Sequence, residues 1–327
     1  MEARFYKKLE NGRVRCELCP HRCVISVGRR GICGVRYNRE GVLEVPYYGK
    51  LSAIALDPME KKPLYHFYPG SKILSVGFVG CSFHCPFCQN YHISMNTDYP
   101  TEYVEPGRLV ELALRENSVG IAYTYSEPLI HLEYVLDTGR IARQRGLKNV
   151  LVSNGYINPE ASTELFDILD AANIDLKTFN PDFYRRELGG KLEEVKRFIR
   201  EAYLAGVALE VTTLVIPTKN DSEGEIEEIA RFIASISRDI PYHISCYYPM
   251  YKYAIPPTPV TLVEKLAKVA GRYLRYVYLG NVGFAETNTY CPKCGNLLIR
   301  RRGYSTSIIG LRDGRCGECG EEIPIVY

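Results

Sequence analysis

From position 70 onward the chain alternates two periodicities, and this alternation restricts the fold more than any other feature of the sequence. Short β-branched or aromatic runs at Ile73 to Val79, Gly120 to Tyr125, Asn149 to Val152, Ala172 to Leu176, Ala208 to Leu214 and Tyr242 to Tyr247 read as buried parallel strands. Between them, apolar residues at i, i+3 and i+4 mark helices over Arg108 to Glu116, Ile130 to Arg145, Pro159 to Leu169, Leu192 to Ala205, Gly224 to Ser237 and Val260 to Leu274. Gly146 and Gly206 stand as C-terminal stops and Pro159 at a helix start. Six such strand–helix units predict an α/β fold, a partial (β/α)6 TIM-like barrel, with Val277 to Leu279 available as a seventh strand. In barrels the loops leaving the strand C-termini build the active site, so residues at those ends carry the functional reading.

Of twelve cysteines, eleven fall in three tight clusters and only Cys246 stands alone, a spacing that speaks for metal ligation in a reducing compartment rather than a disulfide framework. Cys81, Cys85 and Cys88 directly follow the first strand in Gly80-Cys-Ser-Phe-His-Cys-Pro-Phe-Cys. A C-x3-C-x2-C loop wraps three thiolates round one face of a [4Fe–4S] cluster and leaves the fourth iron open for a substrate or cosubstrate. A zinc knuckle completed by His84 or His92 is the alternative. The delivering strand, Gly80 and the aromatic Phe87 before the last cysteine occur together and favour the cluster.

The other two clusters flank the barrel. Cys291, Cys294, Cys316 and Cys319 form two Cys-x2-Cys-Gly knuckles separated by 21 residues, which predicts a closed zinc ribbon. Arg300, Arg301 and Arg302 on the intervening hairpin read as a solvated face rather than a nucleic-acid contact. Cys16, Cys19, Cys23 and Cys33 supply four thiolates within 18 residues and close a second site, holding zinc or a further iron–sulfur cluster, with zinc preferred. The expected division is a cysteine-rich metal-binding segment over 1–69, a barrel core over 70–285 and a ribbon-like module over 286–327.

Three strand ends present polar groups. The second strand closes on Ala-Tyr-Thr-Tyr-Ser-Glu-Pro, with Pro128 fixing the turn and Glu127 near the mouth, placed either to accept from an ammonium group or to cap the helix that follows. The third strand ends in Val152-Ser153-Asn154-Gly155, small polar groups suited to ribose or carboxylate contacts, or simply a turn. The fourth places Asp175 and Lys177 on one face, two residues apart, as a polar patch or an ordinary ion pair. His243, beside aromatics in the sixth strand's run Tyr242-His-Ile-Ser-Cys-Tyr-Tyr-Pro, is a further candidate for the pocket, with simple packing as its competitor.

The Cys81–Cys88 loop with Phe87 resembles the radical SAM superfamily, in which the open iron takes S-adenosylmethionine and the aromatic lies near adenine. Asp175-Leu-Lys177 is similar to the element of pyruvate formate-lyase activating enzyme and its relatives that contacts the cosubstrate. The resemblance also implies that Glu127 stands where a Gly-Gly-Glu-like motif binds the methionine amino group, although Tyr125 and Ser126 replace the glycines. Taken with Cys-x2-Cys-Pro-His-x-Cys, Asp57-Pro-Met-Glu-Lys-Lys-Pro-Leu-Tyr-His and the terminal ribbon, the whole chain resembles the AmmeMemoRadiSam-system radical SAM enzymes. That resemblance implies reductive cleavage of S-adenosylmethionine to a 5′-deoxyadenosyl radical, Memo-like and Ammecr-like partners, and an electron donor such as ferredoxin or flavodoxin.

The net charge of +3 gives no case for a nucleic-acid or membrane partner, no run of 18 apolar residues occurs, and the charged start MEARFYKKLENGRVR lacks the apolar centre of a signal peptide. A cytoplasmic protein is the expectation. Three readings of the activity follow: a glycyl-radical activating enzyme, a radical enzyme acting on another protein side chain or a small molecule, or a non-catalytic metal adaptor using the ribbon on nucleic acid.

Overall fold

The computed structural model describes residues 1–283 and 287–327, so the expected boundary between 285 and 286 falls outside the described residues. One eight-stranded sheet organises the chain. We number its strands in chain order: β1 Ala53–Pro58, β2 Lys72–Gly77, β3 Gly120–Thr124, β4 Lys148–Ser153, β5 Ala171–Asp175, β6 Ala208–Val215, β7 Tyr242–Cys246 and β8 Val277–Gly280. They lie side by side in that order, β2 to β8 parallel and β1 antiparallel at the edge. Val277 to Leu279 therefore does supply a seventh parallel strand, and the edge strand β1 comes from the cysteine-rich segment rather than from the predicted core.

Six helices join the parallel strands: α1 Pro106–Arg115, α2 Leu132–Gln144, α3 Pro159–Phe166, α4 Leu192–Leu204, α5 Glu223–Ile236 and α6 Val260–Ala270. Most bury one stripe and leave the other wet, whereas the first turn of α2, from Leu132 to Leu136, is buried all round. In α4, for example, Leu192, Val195, Phe198, Ile199 and Ala202 are buried at helical spacing, as an amphipathic helix on a sheet requires. Gly146 and Gly206 take φ of +76° and +82° just past α2 and α4, the left-handed stop expected of glycine there. The expected start at Ile130 is different in detail: Pro128–His131 is a short 3₁₀ turn, and the α-helix begins at Leu132. Pro128 accounts for this, because it fixes φ and donates no N–H at the first helical position.

Parallel register brings the functional ends together. Gly77 lies opposite Thr124, Ser153 opposite Ile174 and Asp175 opposite Thr212, so the loops after β2, β3, β4 and β5 all leave at the C-terminal end of the parallel strands.

The opposite half of the sheet is closed by the chain's two terminal parts. Phe67 bridges Val326, and a cluster of Tyr65, Tyr276, Tyr278, Leu298, Ile299 and Ile323 joins the cysteine-rich segment, the sheet and the C-terminal hairpin. Arg301 corrects the expectation of a solvated arginine face. It is fully buried, donates to Thr289 Oγ1 at 2.7 Å and the Tyr65 carbonyl at 2.6 Å, and lies 4.4 Å from the Tyr65 ring centroid. Strand alternation explains the difference: Arg300 and Arg302 point outward along Leu297–Arg302 while Arg301 points in.

Candidate active site and metal centres

The loop after β2 is set by contacts on both sides. Gly80 has φ +81°, and a Cβ there would lie 2.5 Å from the Cys33 carbonyl oxygen, so only glycine fits. Cys81 is partly exposed, Cys85 is buried and Cys88 partly exposed. The Phe83 N–H points at Cys81 Sγ at 3.4 Å, Asn154 Nδ2 reaches it at 3.8 Å, and the Ser94 hydroxyl sits 3.1 Å from Cys88 Sγ. Phe87 is buried against Tyr253, with centroids 5.8 Å apart, and the Lys252 N–H holds the Pro86 carbonyl.

Burial, then Glu127 and Cys85, push Cys81 well above its ordinary value, while burial raises Cys85 to about 12 against the pull of Lys177. Iron needs thiolates, and its positive charge makes buried thiolates tenable; three cysteines on one loop, with N–H groups aimed at one sulfur, fit a [4Fe–4S] cluster with an open iron.

Around that loop the structure gathers Glu127, Ser153 and Asn154. Glu127 is 1% exposed and accepts from the Leu129 N–H at 3.0 Å, Ser153 Oγ at 2.7 Å and the Asn154 N–H at 3.0 Å. Burial lifts its carboxyl to about 7 despite those donors. One sequence alternative is thus visible directly, since Glu127 caps the turn that starts at Pro128. It also fixes the Ser153–Asn154 turn, and Asn154 in turn donates to Ser82 Oγ at 3.1 Å inside the cysteine loop. Tyr125, which stands where the resembling family has glycine, keeps a glycine-like φ of +69°. Such a residue costs on the order of 1–3 kcal/mol and persists only when its surroundings hold it. Here Tyr125 OH donates to Asp57 at 2.5 Å, its ring covers Lys62, and its carbonyl accepts from Asn90.

Asp175 and Lys177 meet at 3.0 Å at the end of β5. Burial would lower the Lys177 ammonium, but Asp175 and Cys85 outweigh it and hold Lys177 charged. Thr212, opposite Asp175, has a buried hydroxyl with no protein partner.

His243 does not join this group. Register puts it level with Asp175, since both pair with Thr212, but its side chain lies 2.6 Å from Glu210 and packs on Tyr65 and Tyr278. Glu210 also accepts from the Tyr65 and His66 N–H groups, both at 2.7 Å. This is the packing alternative realised. Place along the strand does not separate the two cases, because His243 and Asp175 share Thr212 as register partner; what separates them is the distant contact of His243 with Glu210 and Tyr65.

The four C-terminal thiols lie within 4.8 Å of one another, with Cys291 and Cys319 3.6 Å apart and Cys294 and Cys316 3.6 Å apart. Backbone N–H groups of Cys319 and Glu318 and the Asn296 amide pull Cys316 toward its thiolate. Gly295 and Gly320, at φ +74° and +73°, make the two knuckle turns. The N-terminal Cys16, Cys19, Cys23 and Cys33 line one small pocket with Leu18, Ile25 and Arg36.

A model of the Radical SAM superfamily matches residues 75–233, from β2 into α5. An uncharacterized protein of Methanocaldococcus jannaschii is 43% identical across 99% of both chains. The chain belongs to the radical SAM superfamily. It is also homologous to the pyruvate formate-lyase-activating enzyme of Clostridium pasteurianum, 23% identical over 54% of this chain and 76% of that one. The fold is similar to that of a radical SAM methyltransferase from Sphaerobacter thermophilus, at TM-score 0.53, 16% identity and 71% coverage of each chain. This radical SAM protein is an enzyme, which sets aside the non-catalytic adaptor reading. No helix among the described residues is long and apolar enough to cross a membrane.

Proposed function

We propose that Cys81, Cys85 and Cys88 hold the cluster, that Phe87, Ser153, Asn154, Asp175 and Lys177 border bound S-adenosylmethionine, and that Glu127 orders the Ser153–Asn154 turn while keeping one carboxylate acceptor site for the cosubstrate. The observation that carries this reading is the shared C-terminal end of the parallel strands, which brings five sequence-distant polar groups round one thiol loop. When bound, cluster and cosubstrate supply one-electron cleavage to a 5′-deoxyadenosyl radical that abstracts hydrogen. The chain's own part is to hold charge and shape: Lys177 and Asp175 present a paired, oriented polar patch, and Phe87 with Tyr253 walls off water.

The reaction class we favour is activation of a glycyl-radical protein, supported by the Asp175-Leu-Lys177 element and homology to an activating enzyme. Exposed Tyr91, Tyr248, Met250 and Tyr251 beside the cysteine loop, with Tyr91 and Tyr251 stacked at 4.8 Å, suit a polypeptide substrate. Modification of another side chain or a small molecule is the second reading. Membership of the AmmeMemoRadiSam subgroup, Memo-like and Ammecr-like partners, a ferredoxin or flavodoxin donor, a cytoplasmic setting, the three-part division of the chain and zinc at the C-terminal quartet belong to the same proposal. The quartet fits zinc because tetrahedral Zn–S bonds of about 2.3 Å put thiolates about 3.8 Å apart. Anaerobically reconstituted protein given reductant and S-adenosylmethionine should form 5′-deoxyadenosine, read by chromatography. A protein that binds a full cluster yet forms none overturns the reading.

A further inference from the structure

The chain carries two four-cysteine groups, and their thiols are arranged differently. Among the described residues, the C-terminal quartet is the one group of potential ligands drawn within 4.8 Å, the spacing one ion imposes. The N-terminal four line a common pocket without drawing together in that way, and so resemble the Cys81 triad, whose ligands must span a cube of iron and sulfide rather than one ion. The pocket also contains an unmatched donor. Arg36 is 1% exposed, pairs with Glu133 through Nη2 at 2.7 Å, and leaves Nε buried with no acceptor. A buried guanidinium N–H without a partner beside four cysteines points to a sulfur-rich anion in the pocket.

The pocket abuts the cysteine loop of the active site. Cys33's carbonyl is the atom that excludes a side chain at Gly80, next to Cys81. His21, on the pocket wall, contacts the Ser82 carbonyl at 2.8 Å, and its ring meets Tyr156, whose N–H bonds Asn154 Oδ1. Ile130 both lines the pocket and faces Gly80. On its other side the pocket is covered by a loop with exposed Arg22, Val24, Val27, Arg29, Arg30 and Ile32.

We infer that Cys16, Cys19, Cys23 and Cys33 ligate a second [4Fe–4S] cluster that relays electrons to the Cys81 cluster, in place of the zinc preferred from spacing. A low-potential flavin or iron–sulfur protein would give one electron to this cluster at the basic outer loop and leave oxidised by one electron. The second cluster would return to its oxidised state on reducing the first. The inference rests on the radical SAM reading, but its first test does not depend on turnover.

In the C81A/C85A/C88A variant, reconstituted anaerobically with iron and sulfide, the N-terminal site is isolated. The variant should keep about half the wild-type iron and sulfide and a reducible, electron-paramagnetic cluster signal unaffected by S-adenosylmethionine. Zinc at this site and no iron overturns the assignment. For the relay, C23S changes the half-exposed ligand and should slow 5′-deoxyadenosine formation severalfold with a reduced carrier protein while sparing it with dithionite. Equal losses with both reductants, at unchanged cluster-one signal, overturn the relay. R36K, which keeps the charge and removes Nε, should shift the second cluster's midpoint potential without changing iron content; an unmoved potential overturns the hydrogen bond to sulfur.

Discussion

Glu127, in the turn after β3, and Glu210, within β6, are both buried carboxylates, and their neighbours differ in kind. Glu127 accepts from two N–H groups and a hydroxyl near three thiols, with no cation bonded to it among the described residues. Glu210 accepts from two N–H groups and from His243, whose ring packs on Tyr65 and Tyr278, and Arg301 lies against the Tyr65 ring. The first site is polar and borders the three thiols of the cysteine loop. The second is closed on itself. A buried carboxylate thus says little about function until its donors are counted.

The sharpest way to break this contrast is to remove one ligand at the open end. C85A should abolish 5′-deoxyadenosine formation and cluster binding while a cooperative melt survives, since the side chain lost is small. Retained product would move the reactive end elsewhere. At the closed end the expected loss is in stability instead. E210A strands His243 and two buried N–H groups, and each buried donor left without an acceptor costs about 1–3 kcal/mol, read in denaturant titrations. The folded variant should still bind S-adenosylmethionine normally. A loss under about 1 kcal/mol would mean that Glu210 is not the keystone described here.

Within the open end, Asp175 and Glu127 are separable. D175N removes one charge-assisted partner from a half-exposed position and should weaken S-adenosylmethionine binding by about 1.5–3 kcal/mol, roughly ten- to a hundredfold. The amide oxygen of the variant can still accept from Lys177 at this partly exposed position, so the melting temperature should fall only slightly. E127Q should show the opposite balance, a lower melting temperature from a weakened Ser153–Asn154 turn with a smaller change in affinity. Binding titrations beside melting curves decide this, and identical behaviour of the two variants would erase the distinction.

Much of the open end was legible because its determinants are local. The C-x3-C-x2-C spacing, the glycine before it and residues closing periodic strands can all be read along the chain, and register then aligns them. The closed end was not legible, because its partners are distant: Glu210 with Tyr65, His66 with Pro324, Arg301 with Tyr65. A run of three arginines looks solvated until strand alternation turns the middle one inward. Tyr125 lay between these cases. Its departure from glycine was visible, but its retention of φ +69° depends on Asp57, 68 positions away.

The smallest effect tests whether the closed end also responds to pH. His66 is buried between the Pro324 carbonyl at 3.1 Å and Tyr278 OH at 2.7 Å, and burial lowers its pKa from 6.5 to about 4, with Glu210 opposing and Arg301 assisting. A folded value below the unfolded one means that the unfolded chain takes up the proton first. The stability contributed by neutral His66 is therefore complete above pH 6.5 and is lost as pH falls toward 4. Between pH 7 and 5 this amounts to about 2 kcal/mol. H66Q does not titrate, so it should lose about that much less than wild type over the same interval in urea denaturation. His131, buried with a similarly lowered pKa, is present in both proteins and cancels in the difference. Parallel pH profiles for wild type and H66Q would show that His66 is protonated alike folded and unfolded, and that the seal between sheet and C-terminal tail opens before it is tested.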